Sequence, residues 1–205
     1  GCGGPLPLTH LVLTVRDREE ASAALGELNN CHLSDVLSAL AGYRFAKVGL
    51  AGAAANPKWR RLWQQAADLL PPGTQPVAVA YADWQSCGAP PPGEVIEAAR
   101  GRAAALLIDT HEKQGRNLLH FANLPMLSDW QALARESGML SVLAGSLRQA
   151  EIAKVATISP DFVAVRGAVC RGDRTGRVDR SFVAEIVALL SNQAAEQDDA
   201  STSVR

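Results

Sequence analysis

Three segments in the second half of the chain are apolar runs that end in groups able to do chemistry. Leu106–Gly115 (LLIDTHEKQG) delivers Asp109 and Lys113. Val142–Leu147 (VLAGSL) ends in Gly145 and Ser146, and Val163–Arg177 (VAVRGAVCRGDRTGR) carries Arg166 and Gly167. An acid beside an amine can pass protons in aldol and dehydration steps. Small residues let backbone N–H groups approach an anion, and a guanidinium pairs with phosphate oxygens. A further lysine, Lys47, closes the apolar run Phe45–Leu50. Burial or a neighbouring cation lowers a lysine pKa and makes its free amine a nucleophile. Asp83, in the YADW segment, fits a further acid or a helix N-cap about equally well. Each group also has a purely structural counterpart: a stabilising ion pair for Lys47, a loop salt bridge for Asp109 and Lys113, turn geometry for the glycines.

Composition narrows the classes. The formal net charge of −1 in 205 residues offers no basic excess for nucleic acid and no acidic tail. No stretch of about 18 apolar residues reads as a membrane span, and no signal peptide is visible. Cys2, Cys31, Cys87 and Cys170 are scattered, and His10, His32, His111 and His120 lack metal-ligand spacing. Reduced thiols, a cytoplasmic protein and no metal site are the expectation.

The groups must be held by a repeated pattern of apolar run and helical stretch. Strands are expected at Phe45–Leu50, Val77–Tyr81, Ala104–Asp109, Leu140–Ala144 and Phe162–Arg166. Helices are expected at Pro57–Leu70, Glu94–Arg100, Ser128–Ser137 with Ser128 as N-cap, Gln149–Ala156 and Arg180–Leu190, and Ser34–Ala41 reads as a short helix. Trp59 and Trp63 share a helical face and read as core or a subunit contact. Upstream, either Leu11–Val15 is a strand and Asp17–Leu28 a helix, or Leu8–Arg16 is a helix and Ala21–Leu28 contains a strand.

Continuous apolar strands are buried on both faces, which means a parallel sheet. No GxGxxG follows the first strand, so a dinucleotide fold loses support. Polar residues at successive strand ends (Lys47, Asp83, Asp109, Ser146, Arg166) favour an α/β architecture of the (β/α)8 TIM-barrel type. About six βα units are legible rather than eight. Residues 1–190 read as a single barrel domain and 191–205 as a disordered tail.

The segments SAALGEL (Ser22–Leu28), FAKVGLAG (Phe45–Gly52), VAVAYADW (Val77–Trp84), LLIDTHEKQG, LAGSL and VAVRGAVCRGDRTGRVD (Val163–Asp179) together resemble the (5-formylfuran-3-yl)methyl phosphate synthase family, also called 4-(hydroxymethyl)-2-furancarboxaldehyde phosphate synthase. The resemblance implies a (β/α)8 barrel and a lyase of methanofuran biosynthesis. It implies condensation of two trioses derived from glyceraldehyde 3-phosphate into a furan aldehyde phosphate, by lysine Schiff-base and acid–base chemistry without metal or organic cofactor. The family lysine of KVGL falls on Lys47, and the aspartate and lysine of DTxxKxG fall on Asp109 and Lys113. Phosphate contacts fall on Gly145, Ser146, Arg166 and Gly167.

The chain departs from the family in one respect. The family's Schiff-base lysine lies in an upstream Asp-x-Lys strand, and this chain has no lysine before Lys47. The first one or two βα units are therefore expected to be absent. Two other readings stay open: another phosphate-binding barrel enzyme, such as a class I aldolase or sugar phosphate isomerase, and a non-catalytic paralogue or fragment. A small phosphorylated triose is the expected partner, with neither nucleic acid nor membrane. Apolar surface left by missing units would favour a homo-oligomer.

Overall fold

The computed structural model describes residues 21–30, 40, 42–113 and 115–202. The expectations for Leu8–Arg16, Leu11–Val15 and most of Ser34–Ala41 lie outside these residues, as does the upstream region in which βα units were expected to be absent. Six strands follow one another: β1 Ser22–Glu27, β2 Phe45–Gly49, β3 Gln75–Tyr81, β4 Ala105–Asp109, β5 Leu140–Leu143 and β6 Phe162–Val163. They form one sheet in chain order, with every neighbouring pair parallel. Parallel neighbours need crossovers, and here the order never reverses. Among the described residues, the doubly wound arrangement, with its switch point, is therefore not seen. The expected parallel α/β sheet is present; closure into a barrel is not seen, because β1 and β6 pair only with their inner neighbours among the described residues.

The crossovers are helical. They comprise α1 Trp59–Asp68, α2 Trp84–Cys87, α3 Pro92–Ala99, α4 Leu118–Phe121, α5 Leu124–Glu136, α6 Gln149–Ala156 and α7 Arg180–Thr202. Alternate strand residues face these helices. Ala78 and Ala80 of β3, Leu106 and Ile108 of β4 and Leu143 of β5 pack with Trp59, Trp63, Val95, Ile96, Leu127 and Ile152. Trp59 and Trp63 are thus core residues. The opposite face carries Val77, Val79 and Tyr81 of β3 and Ala105 and Leu107 of β4, with Phe45 and Val142 against them.

Three expected boundaries move. Helix α5 starts at Leu124, because the Asn123 carboxamide accepts from the Met126 N–H at 2.9 Å and caps the helix five residues before Ser128, which lies inside the helix. The last strand keeps only Phe162 and Val163 in the ladder, so Arg166 stands beyond it as the residue before a 3-10 turn, Gly167–Val169. Helix α7 continues through Thr202, into the stretch whose polar composition reads as a disordered tail.

The upstream strand is β1, and it is irregular. Ala24 pairs with Lys47 and Glu27 with Gly49, three residues on β1 against two on β2. Gly26 takes φ +88 at this bulge. A bulge shifts every later side chain to the other face of its strand. Ala21, Ala23 and Leu25 point into a core shared with Ala46 and Val48. Simple alternation would send Glu27 with them; the bulge turns it to the face of Lys47 and Tyr81.

Candidate active site

The polar groups gather toward the carboxyl ends of β1 to β4. Lys47 lies within β2, two residues before its end, rather than at the end of an apolar run. Its ammonium is held below the usual lysine range, first by burial; the Asp109 carboxylate partly offsets this, and the Lys113 charge adds to the depression. Burial disfavours the charged form because the low-dielectric interior cannot solvate it.

Asp109 is the last residue of β4. Its Oδ1 accepts from the Lys113 Nζ at 2.8 Å and from the Thr110 N–H at 2.7 Å. Lys113 Nζ also donates to the Thr110 carbonyl. The loop thus folds the lysine back onto the strand end, and the pair is mostly buried, with 29% and 24% of the two side chains exposed.

Asp83 is the clamp of that loop. It occupies the position before α2 but makes no side-chain cap there. Its Oδ1 accepts from the His111 N–H and its Oδ2 from the Glu112 N–H, both at 2.8 Å. With only 3% of Asp83 exposed, the carboxylate is committed to two successive amides just before Lys113. Of the two readings of Asp83 from the sequence, a further acid and a helix N-cap, the side-chain cap is not formed.

Sequence patterns missed a second carboxylate. Tyr81 ends β3 opposite Asp109, and its phenol donates to Glu27 Oε1 at 2.8 Å. Glu27 Oε2 accepts from the Ala51 N–H at 2.7 Å. To reach it, the side chain folds over Gly49, where an added Cβ would overlap the carboxylate. Burial, then the Glu27 charge and hydrogen bond, then Asp109 raise the Tyr81 pKa, so the phenol stays a neutral donor. The Tyr81 ring stands edge-on to His111, with centroids 5.5 Å apart. The local signal for Glu27 was a glycine just before it, which marks a bulge within a strand pattern.

The glycine-rich segments sit differently. Gly145 takes φ +104 and its carbonyl accepts from Leu118 N at 2.8 Å. A Cβ there would lie 3.0 Å from Thr110 Cγ2, so the turns after β4 and β5 are in close contact. Ser146 follows at φ +53, exposed, a left-handed conformation uncommon outside glycine. Arg166 is exposed and its Nε donates to the Arg174 carbonyl at 3.2 Å. Lys47, Asp109 and Lys113 are therefore brought together, with Gly145 behind Thr110. Arg166 and Gly167 share a separate loop with Arg174. Cys87 is a free thiol, pushed up to about 11 chiefly by burial and so not a ready nucleophile. Among the described residues, no helix is long and apolar enough to cross a membrane.

A parallel α/β sheet that gathers an amine, a carboxylate–ammonium pair and a second carboxylate toward the carboxyl ends of its strands defines an α/β protein with a cluster of charged groups at that end. The model of the family described as 4-HFC-P synthase matches residues 5–187, and the chain belongs to that family. It is 29% identical to (5-formylfuran-3-yl)methyl phosphate synthase from Methanosarcina barkeri, over 92% of this chain and 84% of that protein. The enzyme of the same name from Methanothermobacter thermautotrophicus is 32% identical, over 83% of this chain and 76% of that protein. That from Archaeoglobus fulgidus is 27% identical, over 82% and 75%.

Proposed function

We propose that this chain condenses two glyceraldehyde 3-phosphate-derived trioses into (5-formylfuran-3-yl)methyl phosphate, acting as a carbon–oxygen lyase in methanofuran-type one-carbon cofactor biosynthesis. Two triose phosphates that lose one phosphate and two waters balance to that furan. The observation that carries the reading is Lys47, a half-buried amine held below the ordinary lysine range beside the Asp109–Lys113 pair. In this reading Lys47 is the amine that forms the Schiff base with a triose carbonyl. Asp109 and Lys113 serve the proton transfers of the aldol and water-loss steps. Gly145 and Ser146 hold a substrate phosphate through backbone N–H groups, and Arg166 and Gly167 offer a second anion contact.

The test is incubation with glyceraldehyde 3-phosphate, borohydride trapping, and mass spectrometry of product and protein. Furan aldehyde phosphate with a reduced adduct on Lys47 is the expected result. Absence of both product and adduct overturns the reading.

The lysine pair has a pH signature. The Lys113 charge depresses the Lys47 pKa, so Lys113→Met lets that pKa rise. Less free amine is then present at neutral pH, and the pH profile of trapping at Lys47 moves to higher pH. Asp109→Asn removes the group that holds Lys47 charged, and the profile moves the opposite way. Trapping rates across pH check both signs; shifts in the same direction for both variants contradict this arrangement.

A further inference from the structure

Resting on the reading of Asp109 and Lys113 as an acid–base pair, we infer that Tyr81 is a positioning residue for Lys113, anchored by Glu27 and acting through His111. A connected line of contacts carries the inference. Tyr81 is the last residue of β3, its strand partner is Asp109, and only 7% of it is exposed. Its phenol donates to Glu27 Oε1 at 2.8 Å, and Glu27 Oε2 accepts from the Ala51 amide at 2.7 Å. Its ring stands edge-on to His111, with 5.5 Å between centroids and 81° between planes. His111 lies two residues before Lys113, whose Nζ donates to Asp109 Oδ1 at 2.8 Å. Groups from β1, β3 and the loop after β4 thus form one line that ends at the ammonium.

The ion pair fixes one atom of a long side chain. Ordering the backbone from which that side chain hangs costs conformational entropy at every loop residue, and contacts from outside the loop must offset it. Asp83 supplies one such contact, through the amides of His111 and Glu112. Those two adjacent bonds still allow the loop to pivot about them. Tyr81 supplies a contact off that axis, on the His111 side chain. Edge-to-face aromatic pairs have a preferred geometry, so the contact resists the pivot.

The Tyr81 ring needs its own anchor, and Glu27 provides it as an ionised acceptor. A hydrogen bond to a charged group is shorter and stronger than one between neutral groups. Burial, then the Glu27 and Asp109 charges, keep the phenol protonated, so it stays a donor. The carboxylate is fixed in turn by the Ala51 amide and by its close approach over Gly49, where an added Cβ would overlap it. The bulge at Gly26 is what lets β1 deliver this anchor.

The effect on chemistry is one of placement. Lys113 and Asp109 pass protons only when held at a fixed distance from the reacting atoms, and a misplacement of about 1 Å costs about 10²-fold in rate. Tyr81 acts on that distance through the loop. Loss of any link in the line is therefore felt at Lys113.

The test labels the substrate-free chain with trace acetic anhydride at neutral pH and reads acetylation of each lysine by peptide mass spectrometry. Lys113 must leave Asp109 and the Thr110 carbonyl before its amine can react, so its labelling reports how firmly it is held. Exposed Lys58 and Lys154 serve as internal standards. Tyr81→Phe and Glu27→Ala remove the anchor and keep the ring, Tyr81→Leu removes both, and His111→Ala removes the ring contact alone. Lys113 labelling is expected to rise at least about three-fold in the first two and about ten-fold in the others. Lys47 should label no faster, because distancing the Lys113 charge lets its pKa rise. Lys113 labelling within about two-fold of wild type, or a matching rise at Lys47 from a general loosening, overturns the role. Should the Tyr81 and Glu27 variants fail to fold, His111→Ala decides alone, because its position is exposed and its amide stays on Asp83. Where wild type makes furan from glyceraldehyde 3-phosphate, the variants should lower kcat at least about ten-fold and raise KM less than about three-fold, and a change confined to KM overturns the role. A wild type that makes no furan removes the synthase reading and leaves the labelling to judge Tyr81.

Discussion

Lys47→Met is expected to abolish the borohydride-trapped adduct and to lower furan formation roughly 10⁴-fold or more, because removing a covalent nucleophile leaves only binding and the surrounding acid–base groups. Methionine matches the length of the lysine stem and carries no charge. The backbone of β2 stays anchored through Ala46 and Val48, which are buried on the helix side. The fold is therefore expected to survive, and the melting temperature distinguishes lost chemistry from lost structure. The sign of that change follows from the depressed pKa. Burial lowers the Lys47 pKa from 10.5, so the unfolded chain binds the proton more readily than the native protein. Wild-type stability therefore carries a penalty at neutral pH that shrinks as pH rises toward 10.5. Lys47→Met removes that penalty. It should melt at or above the wild-type temperature near neutral pH, with the difference narrowing in alkaline buffer. A variant that melts well below wild type at neutral pH would mean that Lys47 is a stabilising ion-pair partner instead.

Asp83→Ala should have the second largest effect, and it should act at a distance. The substitution leaves the His111 and Glu112 amides without the carboxylate that accepts both at 2.8 Å. Hydrogen bonds to a charged group are worth about 1.5–3 kcal/mol each, so a loss of about 3 kcal/mol is expected. The same loop carries Lys113, whose ammonium must reach Asp109. Asp83 is thus a positioning residue, and its loss should lower kcat more than it raises KM. A specific readout follows. With Lys113 released, its depression of the Lys47 pKa weakens, and the trapping profile moves to higher pH, as in Lys113→Met. Destabilisation with an unmoved profile would confine Asp83 to holding the fold.

Much of this site is legible in one dimension, for reasons that can be named. Lys47, Asp109 and Lys113 each follow or interrupt an apolar run, and a buried parallel strand writes that run plainly. The aspartate and its lysine are four residues apart, so their ion pair depends on a local loop alone. The helices Gln149–Ala156 and Trp59–Asp68 are local too, set by period and punctuation. Arg166 was misplaced because an apolar run does not report how far its partner strand extends. Phe162 and Val163 pair with β5 and the Ala164 N–H still donates to the Leu143 carbonyl, but the arginine falls beyond the ladder.

The sequence by itself determined the succession of strands and helices, the family, and the candidate residues Lys47, Asp109 and Lys113. Tertiary structure alone decided that the strands lie in chain order, that Asp83 reaches 28 residues ahead to hold the loop of Lys113, and that Glu27 accepts from the Ala51 amide and the Tyr81 phenol. The physical reason is the range of the causes. Period, capping and turn chemistry act over a few residues. A carboxylate finds buried amides only after two strands are laid side by side, and one bulged residue in β1 reverses the face that simple alternation assigns to everything after it.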